Sequence, residues 1–80
     1  MPEQIKLIWD FRGPNAKQIA EHHSKHLSEF AEAEKLKNTR SGTEHIEGMH
    51  HIAFLIVDKE HMNLLRERLK PNRGQNYLPK

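Results

Sequence analysis

Residues 51–57 read HIAFLIV. The run is short, and it is rich in β-branched and aromatic side chains. Apolar residues occupy both of its alternating sets, so a strand here has two apolar faces. Such a strand belongs at the centre of a sheet, covered on both sides.

The elements on either side follow from their punctuation. Glu47-Gly48 marks a turn before this strand, and Thr39 to Ile46 reads as a polar edge strand. A two-residue turn pairs Ile46 with Met49 and sets His45 opposite His50. A three-residue turn pairs His45 with Met49 and Glu44 with His50. The sequence allows both registers. After the strand, Asp58 is placed to cap a helix with Glu60 in its first turn. Met62, Leu65 and Leu69 form that helix's apolar stripe, with Leu64 to one side, and Lys70-Pro71-Asn72 stops it. The tail adds a short edge strand around Asn76 to Leu78.

At the other end of the chain, Ile5, Leu7, Trp9 and Phe11 alternate with Lys6, Ile8 and Asp10, a period of two that ends at Arg12-Gly13-Pro14. A helix follows. Its start is either Asn15 as N-cap with Gln18 as capping-box partner, or Gly13 with Pro14 in the first turn. Ala16, Ile19, Ala20, His23, Leu27, Phe30 and Ala31 share one face. Lys17, Glu21, Lys25, Ser28 and Glu32 lie opposite. Leu36 falls off the stripe, so the helix is expected to end near Lys35.

The order is β-α-β-β-α-(β), an α+β arrangement with the split order of ferredoxin-like domains: an antiparallel sheet with two helices on one face. The reading is a single small domain over residues 1–80, ordered from about 4 to 70, with 71–80 supplying the edge strand. Eighty residues, 35% hydrophobic and 30% charged, leave little for a core. Helices cover one face of HIAFLIV, and something else must cover the other. A second copy packed sheet on sheet is the expected answer, hence a homodimer. Small ferredoxin-like domains that dimerise in this way include α+β-barrel enzymes and sensory or binding modules. That likeness is one of fold order and carries no activity.

The formal charge is +2 and the isoelectric point near 9.1, too mild to argue for nucleic acid. The absence of cysteine excludes disulfides, thiolate ligands and a cysteine nucleophile. MPEQIKLIWDF has no apolar run of signal-peptide length after a basic stretch, and no segment approaches a membrane span. A soluble, cytoplasmic protein is expected.

The chemistry rests on seven histidines, three of them in EHHSKH at 21–26. His22 and His26 are one turn apart, with Glu29 on the same stripe. Two imidazoles and a carboxylate are a ligand set for zinc or another divalent transition metal. The helical metalloprotease pattern is absent, because His23 stands where its glutamate belongs. The plainer reading places His22 and His26 at the boundary of the apolar face and pairs Glu29 with Lys25. His23 falls mid-stripe, as a core histidine satisfied by a carbonyl or carboxylate, or as the edge of a pocket. Burial would keep it neutral, with a lowered pKa. His50 and His51 point to opposite faces, and His61 lies in the first turn of the second helix. An acid–base group of His23, Asp10 and Trp9 is conceivable. No nucleophile elbow or phosphate loop accompanies it.

Arg66, Arg68, Lys70, Arg73 and Lys80, with Lys35, Lys37 and Arg40, suggest a phosphate patch. Glu60 and Glu67 dilute it, and the aromatic signature of RNA-binding sheets is missing, so nucleic acid is not expected. The reading is a small binding or interaction module. The alternatives are a weak metal-binding protein using His22, His26 and Glu29, and a small dimeric enzyme with a histidine acid–base group.

Overall fold

The computed structural model describes residues 3–77. The chain runs β1 (Gln4–Arg12), α1 (Ala16–Ala33), β2 (Arg40–Glu47), β3 (His50–Asp58), a 3-10 turn (Lys59–His61), α2 (Met62–Leu69) and β4 (Arg73–Tyr77). The strands lie in the order β2-β3-β1-β4 and every neighbouring pair is antiparallel. This is the ferredoxin-like α+β arrangement, with HIAFLIV in a central strand. The final strand begins three residues earlier than the tail suggested. Leu78 and Lys80 lie outside the described residues.

On the helix face, Ile5, Leu7 and Trp9 of β1 and Ala53, Leu55 and Val57 of β3 meet Ala20, Leu27 and Ala31 of α1 and Leu65 of α2. Trp9 Nε1–H donates to the Leu69 carbonyl at 3.1 Å and ties β1 to the end of α2. Ile19, expected on the buried stripe, is 48% exposed. At 100° per residue it stands roughly 90° round the axis from the centre of the Ala16–Ala20–Leu27–Ala31 stripe, and the narrow sheet does not reach that far.

The helix ends explain where the sequence signals went. Asn15 sits at the N-cap of α1 but makes no side-chain bond, so the capping box with Gln18 does not form. Instead the Ala16 N–H reaches the Gly13 carbonyl at 3.1 Å. At the other end Lys35 takes the left-handed conformation, with φ 55°. Its N–H bonds the Glu32 carbonyl, and the Leu36 N–H bonds the Ala31 carbonyl, both at 3.0 Å. These are the two bonds of a Schellman cap. Leu36 leaves the helical stripe because it is the apolar residue that closes this cap against the core.

The β2–β3 hairpin adopts neither register expected. Its turn is Gly48-Met49, with Glu47 opposite His50 and His45 opposite His51; the pairing is irregular between His45 and Glu47, leaving Ile46 as an extra residue. Gly48 has positive φ and Met49 does not, the φ pattern of a type II′ turn. Glycine therefore takes the first turn position, and the surplus residue is absorbed as a bulge.

The face away from the helices is not bare. Ile8 and Ile52 are 2% exposed and Ile56 is 4% exposed within the single chain. In the register, Ile8 lies between Phe54 and Arg73, Ile52 between Asp10 and Glu44, and Ile56 between Lys6 and Arg40. Lys6 reaches across β3. Its ammonium lies 4.6 Å from the centre of the Phe54 ring and donates to Glu44 at 2.6 Å. The Phe54 ring lies over Gly42, where a Cβ would come within 2.8 Å of its Cζ. Long side chains thus cover the second apolar set of β3. The thin core finds this cover inside one chain.

Candidate functional site

The histidines separate by face. His22 and His26 lie one turn apart on α1, their rings tilted by 46° with centres 4.7 Å apart. His26 Nδ1 is 3.4 Å from Glu29 Oε1, with side chains 64% and 59% exposed. Glu29 thus faces His26, where the plainer reading had paired it with Lys25. A different set gathers more tightly: ligand atoms of Asp58, Glu60 and His61 lie within 4.8 Å of one another at the start of α2. In the sequence, Asp58 and Glu60 read as helix-start residues. The Asp58 side chain caps nothing there, and it accepts a bond from Gln4 at 3.3 Å.

His23 packs its ring on Trp9 and Phe11, with centres 5.0 and 5.5 Å away. Its Nε2 is buried and has no hydrogen-bond partner among the described residues, so the carbonyl or carboxylate expected there is not supplied. Burial, with a smaller push from His26, holds its pKa below the ordinary histidine value. The grouping of His23 with Asp10 does not form. Alternation along β1 sends Trp9 to the helix face and Asp10 to the opposite one.

Asp10 instead joins three strands across the open face. Its Oδ1 accepts from His50 Nε2 of β3 at 2.8 Å and from Arg73 of β4 at 3.2 Å. The Asp10 N–H donates to Asn72 Oδ1 at 2.8 Å. Burial pushes the Asp10 carboxyl up, but the bonds from His50 and Arg73 and their charges outweigh it, and the pKa lies below the ordinary value. Sequence reasoning missed this network because its members lie some 40 and 63 residues apart. On the other face His45 and His51 stack at 4.5 Å, and the His45 Nε2–H donates to the Gly48 carbonyl at 2.7 Å. The imidazoles lie nearly parallel, 18° apart, which does not converge their nitrogens on one ion.

The basic end is dispersed. Arg68 pairs with Glu34, and Arg73 with Asp10. Arg66 has no ion pair among the described residues, and it lines a cleft of about 350 Å³ between α2 and the β1–β4 edge. Ile5 and Leu7 form the floor, Met62 and Arg66 one wall, and Gly74, Gln75 and Asn76 the other. The cleft exists because of register. Gly74 lies opposite Leu7 and Asn76 opposite Ile5, so β4 presents a glycine and a short amide to the helix side. A side chain at 74 would occupy the gap: a Cβ there would lie 3.5 Å from Leu7 Cδ2 and 3.7 Å from Ile5 Cγ2. A second, more open recess of about 510 Å³ is lined by Arg12, Glu47, Gly48, Met49 and His50.

Fold and site together define a small ferredoxin-like α+β domain with an apolar-floored cleft beside its second helix. No protein-family model, curated protein or solved structure matches the chain. Among the described residues no helix is long and apolar enough to cross a membrane.

Proposed function

We propose that the chain is a binding module for a small monoanion with an apolar body, held in the cleft under α2. The observation that carries this reading is a cleft of about 350 Å³ in which the half-buried Met62 and the edge of Ile5 stand beside Arg66, the only cationic side chain lining it among the described residues. Sites of this kind combine an apolar lining with a few polar groups that fix orientation, and their volumes start near ~300 Å³. Arg66 offers a forked donor suited to a carboxylate, and the Asn76 amide stands across the cleft from it. Hexanoate and phenylacetate have the matching shape. At this size the affinity expected is on the order of millimolar, about −4 kcal/mol.

The test is an amide and methyl NMR titration with both compounds. Saturable shifts at Met62, Gly74 and Asn76, lost in Arg66→Gln, support the reading. Shifts that never saturate, or that survive in Arg66→Gln, refute it.

A further inference from the structure

β2 is the outermost strand of the sheet and bonds to β3 on one side only. Its other side offers backbone N–H and C=O groups to an added strand. Side chains decide which strand fits. Arg40, Gly42 and Glu44 pair with Ile56, Phe54 and Ile52, so they stand on the open face. Arg40 forms no ion pair among the described residues. Glu44 gives Oε1 to Lys6, and its Oε2 accepts no bond among the described residues. Gly42 has no Cβ, and the Phe54 ring fills the space one would take. Beyond His45 the pairing becomes irregular, and the bulge at Ile46 ends the regular strand.

We propose that this edge pairs antiparallel with β2 of a second copy, about a two-fold axis at Gly42. A two-fold perpendicular to the sheet keeps each face on its own side, so open-face residues meet only open-face residues. Among the registers this allows, Gly42 opposite Gly42 sets Arg40 of each copy opposite Glu44 of the other. Moving the axis to Ser41 or Thr43 sets Arg40 opposite Gly42 or the bulged Ile46 and loses both ion pairs. Moving it to Glu44 sets two carboxylates face to face. On the helix side the same register sets Ser41 opposite Thr43, a hydroxyl pair favoured across strands. At the axis the two glycines leave room for the Phe54 rings of both copies to meet. Charges and a bulge that discourage indiscriminate edge pairing thus select one strand, the chain's own copy. Pairing from Arg40 to Glu44 makes a small interface. The dissociation constant is on the order of 0.1–1 mM, and the chain stays single at micromolar concentration.

The experiment is NMR translational diffusion between about 10 μM and about 1 mM, a range that brackets this affinity. The wild-type protein is expected to slow toward the value for two chains as concentration rises. Arg40→Glu and Glu44→Arg each put like charges opposite at both ends, and each alone is expected to associate at least about tenfold more weakly. In an equal mixture of the two variants every facing pair is again one acid and one base, and association is expected to return to the wild-type level. Isotope-filtered NOEs are expected between Ser41 of one copy and Thr43 of the other. A wild-type chain that stays single at about 1 mM overturns the proposal and leaves the edge to an unlike strand. A dimer that both variants retain unchanged, or one without the Ser41–Thr43 contacts, overturns it too. So does a mixture that fails to associate while the amide spectra of both variants remain those of the folded chain.

Discussion

Gly74→Ala is expected to stabilise the protein while blocking the binding proposed for the cleft under α2. Gly74 has φ outside the left-handed region, and the added Cβ meets Leu7, Ile5 and the Lys6 carbonyl at 3.5–3.8 Å, ordinary van der Waals contact. The unfolded chain loses the freedom of a glycine, about 0.5–1 kcal/mol. A buried methyl adds about 0.8 kcal/mol, here roughly halved because position 74 is exposed along its edge. The sum is about 1 kcal/mol, or a Tm rise of about 4–8 °C for a domain of this size. The same methyl fills part of the cleft that the proposed ligand would enter. Thermal melts by circular dichroism, paired with the hexanoate titration, read both effects on one sample. A raised Tm with binding lost is the expected outcome. A raised Tm with unchanged binding would show that the ligand does not lie beside Gly74. A lowered Tm would refute the packing argument itself.

Other expectations follow from the helix ends, the titrating groups and the two faces. Lys35→Gly removes a Cβ from a left-handed residue at about 1–2 kcal/mol of strain and returns about 0.5–1 kcal/mol of glycine entropy, so urea unfolding should show a modest net gain; a loss would contradict the Schellman cap. His23 titrates below its unfolded value of 6.5, so the folded state binds fewer protons; its contribution to stability is complete above about pH 6.5 and falls as pH drops through the folded pKa, and His23→Leu should reduce that slope in pH-dependent melts, with His51, lowered by burial, supplying the rest. The Asp10 carboxyl is lowered from 3.8, so its contribution is complete above that figure and is lost as the pH falls from there through the folded value, a decline that Asp10→Asn should remove from acid-unfolding curves. Zinc added to metal-stripped protein should move His22 and His26 weakly and without saturating at one equivalent, because His26 and Glu29 are mostly in solvent; tight stoichiometric shifts would instead make them a metal site. Sedimentation equilibrium at micromolar concentration should give the mass of one chain, since the open face is closed over by Lys6, Glu44 and Arg73; twice that mass would restore the sheet-packed homodimer.

What the sequence discloses is what local periodicity controls. The apolar alternation of β1, the double-sided β3 and the long stripe of α1 each depend on neighbours within a few residues, and the element order follows from them. Bounds and caps are weaker, because Asn15 and Asp58 have capping chemistry that the backbone does not use. Pairing across the sheet is hidden. Asp10 finds His50 and Arg73 only once three strands are side by side, and Lys6 meets Phe54 and Glu44 for the same reason. The cleft is harder still, since it arises from a side chain that is missing. Its one visible signal is Gly74 within a short tail strand, and that glycine takes meaning only from standing opposite Leu7. EHHSKH draws attention by composition, yet its three rings divide between a packed histidine and two in water.

The central strand pair has a consequence for how the chain reaches this state. β1 and β3 join residues whose separation runs from 38 positions, Arg12 with His50, to 54, Gln4 with Asp58. During synthesis, β1 must therefore wait for most of the chain before its principal partner exists, while α1 can form locally in the meantime. Long-range pairing of this kind slows folding and leaves apolar strands unprotected for longer. The early-made segment KLIWDF is the part of the nascent chain most exposed to misassociation, and the neighbouring α1 is the first element able to shield it.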